Sequence, residues 1–491
     1  MLSQRRLIHL SNVARYDAVV VGSGPNGLAA AITLAREGLS VLVLEAQDTI
    51  GGGARSAELT LPGFVHDMCS AIHPFAFASP VFRDFPLERY GLKWVHSPAP
   101  LAHPLDGGNA AILENSLEET AQRYPEDRDA YRALFEPAAR AWIDFQREGF
   151  RSLPRQIGKV AVGFEALRPA RRMIESRFRD PALRALMAGN AGHAMLPLEK
   201  SGSNLVVLGL VTMGHVGGWP FPEGGAQKLS DAMAAHFRSL GGVIETGVRI
   251  TSLRQVPPAR AVLLDVTARQ VLDICGEQLP RMYKSVLRNF RYSMAAFKVD
   301  WALSEPVPWR SAEIRRAATV HIGGTLEEIA AAERVVWKGG ISDAPLIIAA
   351  QHSLFDPTRA PAGKHTFWAY CHVPNGSDVD MVERIEKQIE RFAPGFRDCI
   401  LQRSVMPPRA LEAHNPNLIG GDIVGGVQDL WQIGMRPSFR YWATPLKDVF
   451  ICSSSTPPGA GVHGMCGWLA ARLALKRRFQ ITPKKLFDND R

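Results

Sequence analysis

Residues 16–45, YDAVVVGSGPNGLAAAITLAREGLSVLVLE, decide the fold. Ala18 to Val21 is a short apolar run of buried-strand type, and Gly22-Ser23-Gly24-Pro25-Asn26-Gly27 follows it at once. Leu28 to Gly38, rich in Ala and Leu and closed by Gly38, predicts a helix, and Ser40 to Leu44 predicts a second strand. Glu45 stands at the tip of that strand, 18 residues beyond Gly27. Strand, glycine turn, helix, strand and acid in this register form a unit that cradles a dinucleotide. Gly22 permits the tight turn, Gly24 lets backbone approach a diphosphate, and Gly27 lets helix pack on strand. Free N–H groups at the helix start, where Pro25 and Asn26 lie, face the phosphates, and the Glu45 carboxylate accepts from ribose hydroxyls. Glycines in this spacing also mark ordinary turns. The register of the flanking elements is what makes the signal specific.

Six residues after Glu45 comes a second glycine cluster, Gly51-Gly52-Gly53-Ala54-Arg55-Ser56, able to run backbone beside the same diphosphate and a ribityl chain. A nicotinamide-only domain does not need it. Glu45, Ala46, Asp48, Gly51 and Gly52 fall in an E-A-x-D-x-x-G-G pattern. On these residues the stretch resembles the FAD-binding start of the flavin amine oxidase and phytoene desaturase superfamily, and the resemblance implies FAD. That family often has Arg where Gly53 stands here, which leaves Arg55, or backbone alone, to meet the phosphates.

The 491 residues give room for two domains with sizeable cores, and 46% hydrophobic with 21% charged residues is the composition of a globular protein. The six cysteines include no C-x-x-C pair and no cluster with histidine, so neither a redox disulfide nor a structural zinc site is expected. No apolar run reaches the roughly 18 residues needed to cross a bilayer. The longest candidate, Leu205 to Met213, contains Thr212. A cytoplasmic location is expected, with peripheral membrane contact left open. Residues 1–15 hold Arg5, Arg6 and Arg15 without an acid and read as a plain extension rather than a transit segment. Much of the net charge of +9 lies between Arg151 and Arg179. A solvated helical face is the plain reading, and a basic, partly apolar surface resting on anionic lipid the sharper one. No nucleic-acid motif is present, so no such partner is expected. Oligomeric state is not legible.

Further along, His66, Asp67 and His73 crowd one short stretch with Cys69 between. The family's similar G-F-x-F-D segment lies near its flavin ring, which makes His66 and Asp67 candidates for the reaction cavity. The plain alternative is a hydrogen-bonded pair fixing a loop. Residues 80–215 read as mostly helical, with capping spacing at Ser116 to Glu119 and helical periodicity over 130–150, and suggest a lid over a greasy pocket. His193 and His215 read as satisfied buried histidines. Pro222 to Gly225, a helix over 226–240, Gly241-Gly242 and a strand over 243–250 are similar to the family's return to its nucleotide domain, where backbone at the Val248 position grips the adenine side. Only 251–260 separate this strand from the next apolar run, 261–266, so the family's intervening meander is truncated.

Residues 293–303 alternate, Ala295, Phe297, Val299 and Trp301 against Lys298 and Asp300, and predict a half-buried strand. More strands are expected at 318–322, 346–352, 365–373 and 400–406, with a helix at 378–392. Together they suit a sheet that floors a cavity, with Trp368, Tyr370 and His372 on one strand face. Finally, 449–451 read as a strand, 453–461 as a small-residue turn, and Val462 onward as a helix whose start could hold the pyrimidine edge of a flavin. The family's turn reads G-x-T-H-P-G-x-G. Here Thr456, Pro458, Gly459 and Gly461 are kept, Pro457 replaces His, and His463 follows later, beside the ring if the correspondence holds.

The whole length therefore resembles the phytoene-desaturase-like FAD oxidoreductases. Within them, HVPNG, ERFAPGF and STPPGAGVHGMCG resemble the pyridine nucleotide-disulfide oxidoreductase domain-containing protein 2 group. The resemblance implies an α/β fold: a discontinuous Rossmann-type FAD-binding domain over 1–75, 219–290 and 446–491, a helical lid over 76–218, and a mixed-sheet substrate domain over 291–445. The expected activity is dehydrogenation, desaturation or isomerisation of an apolar, lipid-like substrate by hydride transfer to flavin. The expected cofactor residues are Gly22, Gly24, Pro25, Asn26, Gly27, Glu45, Ala46, Gly51, Gly52, Gly53, Ala54, Arg55, Val248, Ser454, Gly459, Gly461, Val462 and His463. His66, Asp67 and His463 are the candidates beside the ring, and no metal is expected. One rival is amine oxidation, which would need an aromatic pair flanking the ring, with Tyr441-Trp442 the candidate doublet. The other is a non-catalytic flavin-binding regulatory or lipid-escort protein, a role that usually goes with loss of the glycines kept here.

Overall fold

The computed structural model describes residues 16–148, 165–484 and 486–487. The N-terminal extension and Arg151, Arg155 and Lys159 of the basic stretch lie outside them. Five parallel strands form the first sheet, in the order Val449–Ile451, Ala259–Leu264, Tyr16–Val21, Val41–Leu44, Val243–Glu245. The strand that opens the glycine turn is thus central. Val19, Val20, Val43, Leu263 and Ile451 are fully buried, as a parallel sheet covered on both faces requires. The Pro25–Ala35 helix packs on one face together with Gln227–Ser239 and Met465–Ala474. A Cβ at Gly467 would lie 1.8 Å from the Asn26 carbonyl oxygen, so only glycine allows the last of these helices to approach so closely.

Three segments distant in the chain close this sheet, and two of them differ in detail from expectation. The 243–250 strand ends at Glu245. Gly247, at φ +73°, turns the chain there, its N–H donates to the Gln47 carbonyl at 2.9 Å, and the Val248 N–H donates to the Glu45 carbonyl at 2.7 Å. Backbone of Val248 is thereby fastened to the tip of the second strand. The last helix begins at Met465 instead of Val462 because Gly464 takes a left-handed conformation, φ +68°, and serves as its N-cap. Between Glu245 and Ala259 lies only a single 3₁₀ turn, Leu253–Gln255.

The second sheet has seven strands, in the order Ile400–Met406, Ala295–Leu303, His365–Val373, Ile347–Ala350, Ala317–Ile322, Ala99–Pro104, Ala110–Leu113. All pairings are antiparallel except that of Ala317–Ile322 with Ala99–Pro104. The 80–215 segment is therefore not a purely helical lid: it lends two strands to the sheet. Their sequences, APLAHP and AAIL, carry little β-branched signal, so pairing with a distant strand rather than propensity makes them strands. The rest of that segment is helical, with Leu117–Arg123, Arg128–Glu148, Ala170–Arg177, Pro181–Gly192 and Asn204–Gly217. Ser116 caps the first of these by accepting from the Glu119 N–H at 3.2 Å.

The Ala295–Leu303 strand corrects a second expectation, for it is buried along its whole length. On one face Trp301 packs toward the Val382–Phe392 helix and its indole N–H donates to Glu386 at 3.1 Å. On the other, Ala296 and Lys298 meet a cavity instead of solvent.

Candidate active site

A cavity of about 960 Å³ runs from the C-terminal edge of the first sheet, over the face of the second, to the underside of the lid helices. This edge is where parallel α/β sheets place their ligands. Both glycine turns line one end through Gly22, Gly24, Pro25, Asn26, Gly52, Gly53, Ala54 and Arg55, with Glu45, Ala46 and Val248 beyond them. A Cβ at Gly24 would lie 2.7 Å from a carboxyl oxygen of Asp265, and one at Gly52 would lie 3.0 Å from the Gly24 Cα. The two turns therefore touch, and only backbone faces the ligand there.

The residues at this end fit a dinucleotide. Glu45 accepts from the Ser23 N–H at 2.9 Å, from the Ser23 hydroxyl and from the Gln47 N–H at 2.9 Å. A carboxylate has about four acceptor positions, so one remains for a ribose hydroxyl. The buried Asn26 Oδ1 has no partner among the described residues, although it sits on the cavity wall at the helix start. Arg55, almost fully buried, donates to the Gly52 carbonyl at 2.9 Å, to Thr49 at 3.2 Å and to the His414 carbonyl at 2.8 Å. It braces the second turn while lining the cavity.

Asp265 escaped the sequence reading. It ends the Ala259–Leu264 strand and accepts from the Gly27 N–H at 2.9 Å. Burial, with the Glu45 charge adding to it, pushes its carboxyl up to about 7. An acid closing an apolar strand run, as Glu45 does, was the signal available for it.

At the centre of the cavity Ser454, Gly461, Val462 and His463 line one wall, while Cys69, His73 and Lys298 line another. His463 Nδ1 accepts from the Met465 N–H at 3.1 Å, and the His463 carbonyl accepts from the Ser79 hydroxyl at 2.6 Å. Burial pulls His463 down to about 4, and does the same for His73 and His414. Burial also pushes the Cys69 thiol up to about 11. Lys298 pairs with Asp300, whose carboxyl burial raises to about 6 against the pull of that ammonium. Its position on the apparently polar face of an alternating strand concealed Lys298 in the sequence.

Gly27, Gly51, Gly459, His66 and Asp67 are not on the cavity wall. A Cβ at Gly27 would meet the Gly22 carbonyl oxygen at 2.2 Å, so Gly27 serves helix–strand packing. Gly51 packs on Ser230, and Gly459 on Arg436. His66 is bonded to Thr60 at 2.8 Å and is pulled down to about 3 by burial, then by Lys298. Asp67 accepts from Ser56 and from the Ala226 N–H, each at 2.7 Å, and from Arg359 at 3.1 Å. Burial alone would raise this carboxyl, but Arg359, His352 and these donors hold it well below the carboxylate range. His66 and Asp67 thus fix a hairpin, Ser56–Glu58 with Val65–Asp67, to the rest of the molecule. Tyr441 and Trp442 meet in a tilted contact with ring centres 5.7 Å apart, also away from the cavity wall.

The far end of the cavity is apolar, formed by Phe75 of the short Pro74–Phe77 helix and by Trp142, Phe145, Leu208, Leu210 and Met213 from the lid. Among the described residues no helix is long and apolar enough to cross a membrane, and no cluster could hold a metal ion.

A dinucleotide-binding parallel sheet opening onto a substrate-type sheet and lid defines an oxidoreductase class. Residues 20–85 match the NAD(P)-binding Rossmann-like domain family. The chain is 26% identical to mouse pyridine nucleotide-disulfide oxidoreductase domain-containing protein 2, over 94% of this chain and 93% of that one. It is 24% identical to a neurosporene-forming phytoene desaturase of Rhodobacter capsulatus over 92% of each. A putrescine oxidase structure has the same fold, with a TM-score of 0.61 at 17% identity over 95% of this chain and 99% of the other. The chain is thus similar in sequence to that protein and to phytoene desaturases, and it shares a fold with putrescine oxidase.

Proposed function

We propose that the chain is an FAD-dependent oxidoreductase that removes hydrogen, as a net hydride, from an apolar, lipid-like molecule lying under the lid. One observation carries the reading: a single cavity joins the two glycine turns, the Ser454–His463 loop and an apolar chamber roofed by helices. The diphosphate would lie along Gly24, Gly52 and Gly53, the adenosine ribose at Glu45, the adenine near Val248, and the ring beside Gly461, Val462 and Lys298. The second glycine cluster and the C-terminal turn favour FAD over a nicotinamide nucleotide, which has no ribityl chain to line. When bound, a flavin supplies the two-electron acceptor that the side chains lack.

The protein's own groups orient and set charge. Lys298, held by Asp300, keeps a cation on the wall where negative charge would accumulate. The histidines there are poor proton acceptors near neutrality, since burial draws His73, His414 and His463 to about 4. A reaction that asks little of a protein base suits such a wall. Amine oxidation with an aromatic pair at the ring finds less support, because Tyr441 and Trp442 are elsewhere.

The test is the visible spectrum of the purified protein and the mass of the cofactor released on denaturation. FAD near one equivalent per chain is expected. Glu45→Ala should weaken its retention about 10- to 100-fold, the effect of losing a hydrogen bond to a charged group. A colourless protein that takes up no added FAD overturns the assignment.

A further inference from the structure

Inside the apolar half of the cavity sits a pair of imidazoles that the reaction outlined above does not use. His193 closes the Pro181–Gly192 helix and lines the cavity. His321, fully buried on the floor sheet, stands behind it with the two Nε2 atoms 2.8 Å apart. Trp219 leans on both rings, at 6.2 and 5.9 Å. Burial draws His193 down to about 3 and His321 well below its ordinary value, so both rings are neutral. One Nε2 carries the hydrogen between them.

The surroundings decide which. His321 Nδ1 is buried without a partner, and a Cβ on Gly189 would lie 2.7 Å from it, so this nitrogen looks onto the Gly189 Cα. An N–H there would have no acceptor, while a lone pair faces a C–H at little cost. The His321 hydrogen is therefore on Nε2 and donates to His193 Nε2. His193, half-buried on the cavity wall, in turn carries its hydrogen on Nδ1, since its Nε2 accepts from His321. The pair acts as a fixed donor aimed by the inner ring.

A second donor stands on the same wall. Tyr370 lines the cavity and its hydroxyl makes no hydrogen bond among the described residues. It shares a row of the floor sheet with His321, with Ile348 between them, about 10 Å apart at the usual strand spacing. Both donors open onto the cavity, so an apolar occupant that covers them leaves them unpaired, at a cost, unless it supplies the acceptor.

We propose that the substrate chamber recognises a carbonyl oxygen on an otherwise apolar chain, with His193 Nδ1–H as the donor that positions it. The occupant is then an oxygenated lipid rather than a plain hydrocarbon. This rests on the lipid-substrate reading above and narrows it.

The test uses the protein as purified with its cofactor and two probes of one shape, 2-tridecanone and 2-methyl-1-tridecene, in which =CH2 replaces =O. Bound probe is measured by equilibrium dialysis and gas chromatography. The ketone-to-alkene affinity ratio should fall about tenfold in His193→Phe and recover in part in His193→Asn, which restores a donor. A ratio unchanged within twofold in His193→Phe, or no binding of either probe to the unaltered protein, overturns the proposal. The infrared carbonyl band of the ketone gives a measurement that needs no variant. It should move to lower wavenumber than in hexane on binding to the unaltered protein, and a hexane-like band also overturns the proposal. A protein that retains FAD yet treats both probes alike sinks this inference and leaves the flavin assignment standing.

Discussion

Asp67 is the residue whose role changed most between sequence and structure. Beside His66 and Cys69 it looked like part of a reaction wall, but its carboxylate accepts from Ser56, Ala226 and Arg359 at zero exposure, away from the cavity. Asp67→Asn leaves Arg359 paired with Asp356 at 3.0 Å but weakens the charge-assisted hydrogen bonds that Asp67 accepts. It should therefore lower the unfolding free energy in urea by about 1.5–3 kcal/mol. The folded variant should keep its flavin content. Loss of flavin without loss of stability would restore a role for Asp67 at the site. The sign with pH follows from its depressed pKa. The stability it contributes is present above the ordinary carboxylate range and is lost as pH falls through it.

Among the elements, the strand–turn–helix unit at 16–45 is completed by a strand it cannot specify, Ala259–Leu264. Pairing beside Tyr16–Val21, that strand brings Asp265 against the same turn that Glu45 flanks from the other side. Two carboxyls around one phosphate-type turn favour keeping one of them protonated. Asp265, raised to about 7 by burial and Glu45, is that one. Its folded pKa exceeds the unfolded value of 3.8, so its contribution to stability is full below about 4 and is lost as pH rises toward 7. The shift of about three units bounds the effect at roughly 4 kcal/mol. Asp265→Asn should thus gain in melting temperature relative to the unaltered protein as pH is raised from 4.5 to 8. A difference that stays flat across this range would refute the raised pKa.

At the scale of the whole molecule, the cavity borders both sheets and the lid, so its occupant adds to the contacts, Arg359 with Asp67 among them, that already fasten these parts together. Removing bound FAD should lower the melting temperature, and adding it back at a hundred times its dissociation constant should restore about 2.7 kcal/mol. NAD in its place should restore nothing. The same calorimetric scan checks both outcomes.

The sequence by itself determined the dinucleotide unit, because its glycines, strand runs and Glu45 interact within 30 residues and each is constrained by local backbone geometry. It also determined most floor strands, where Ile400–Met406 and His365–Val373 fall at the expected residues. Only the tertiary structure decided that Ala99–Pro104 and Ala110–Leu113 are strands, that Lys298 faces a cavity, and that His193 and His321 meet across 128 residues. Those outcomes depend on which distant surface covers a side chain. Burial, unlike periodicity, is not written in any one segment.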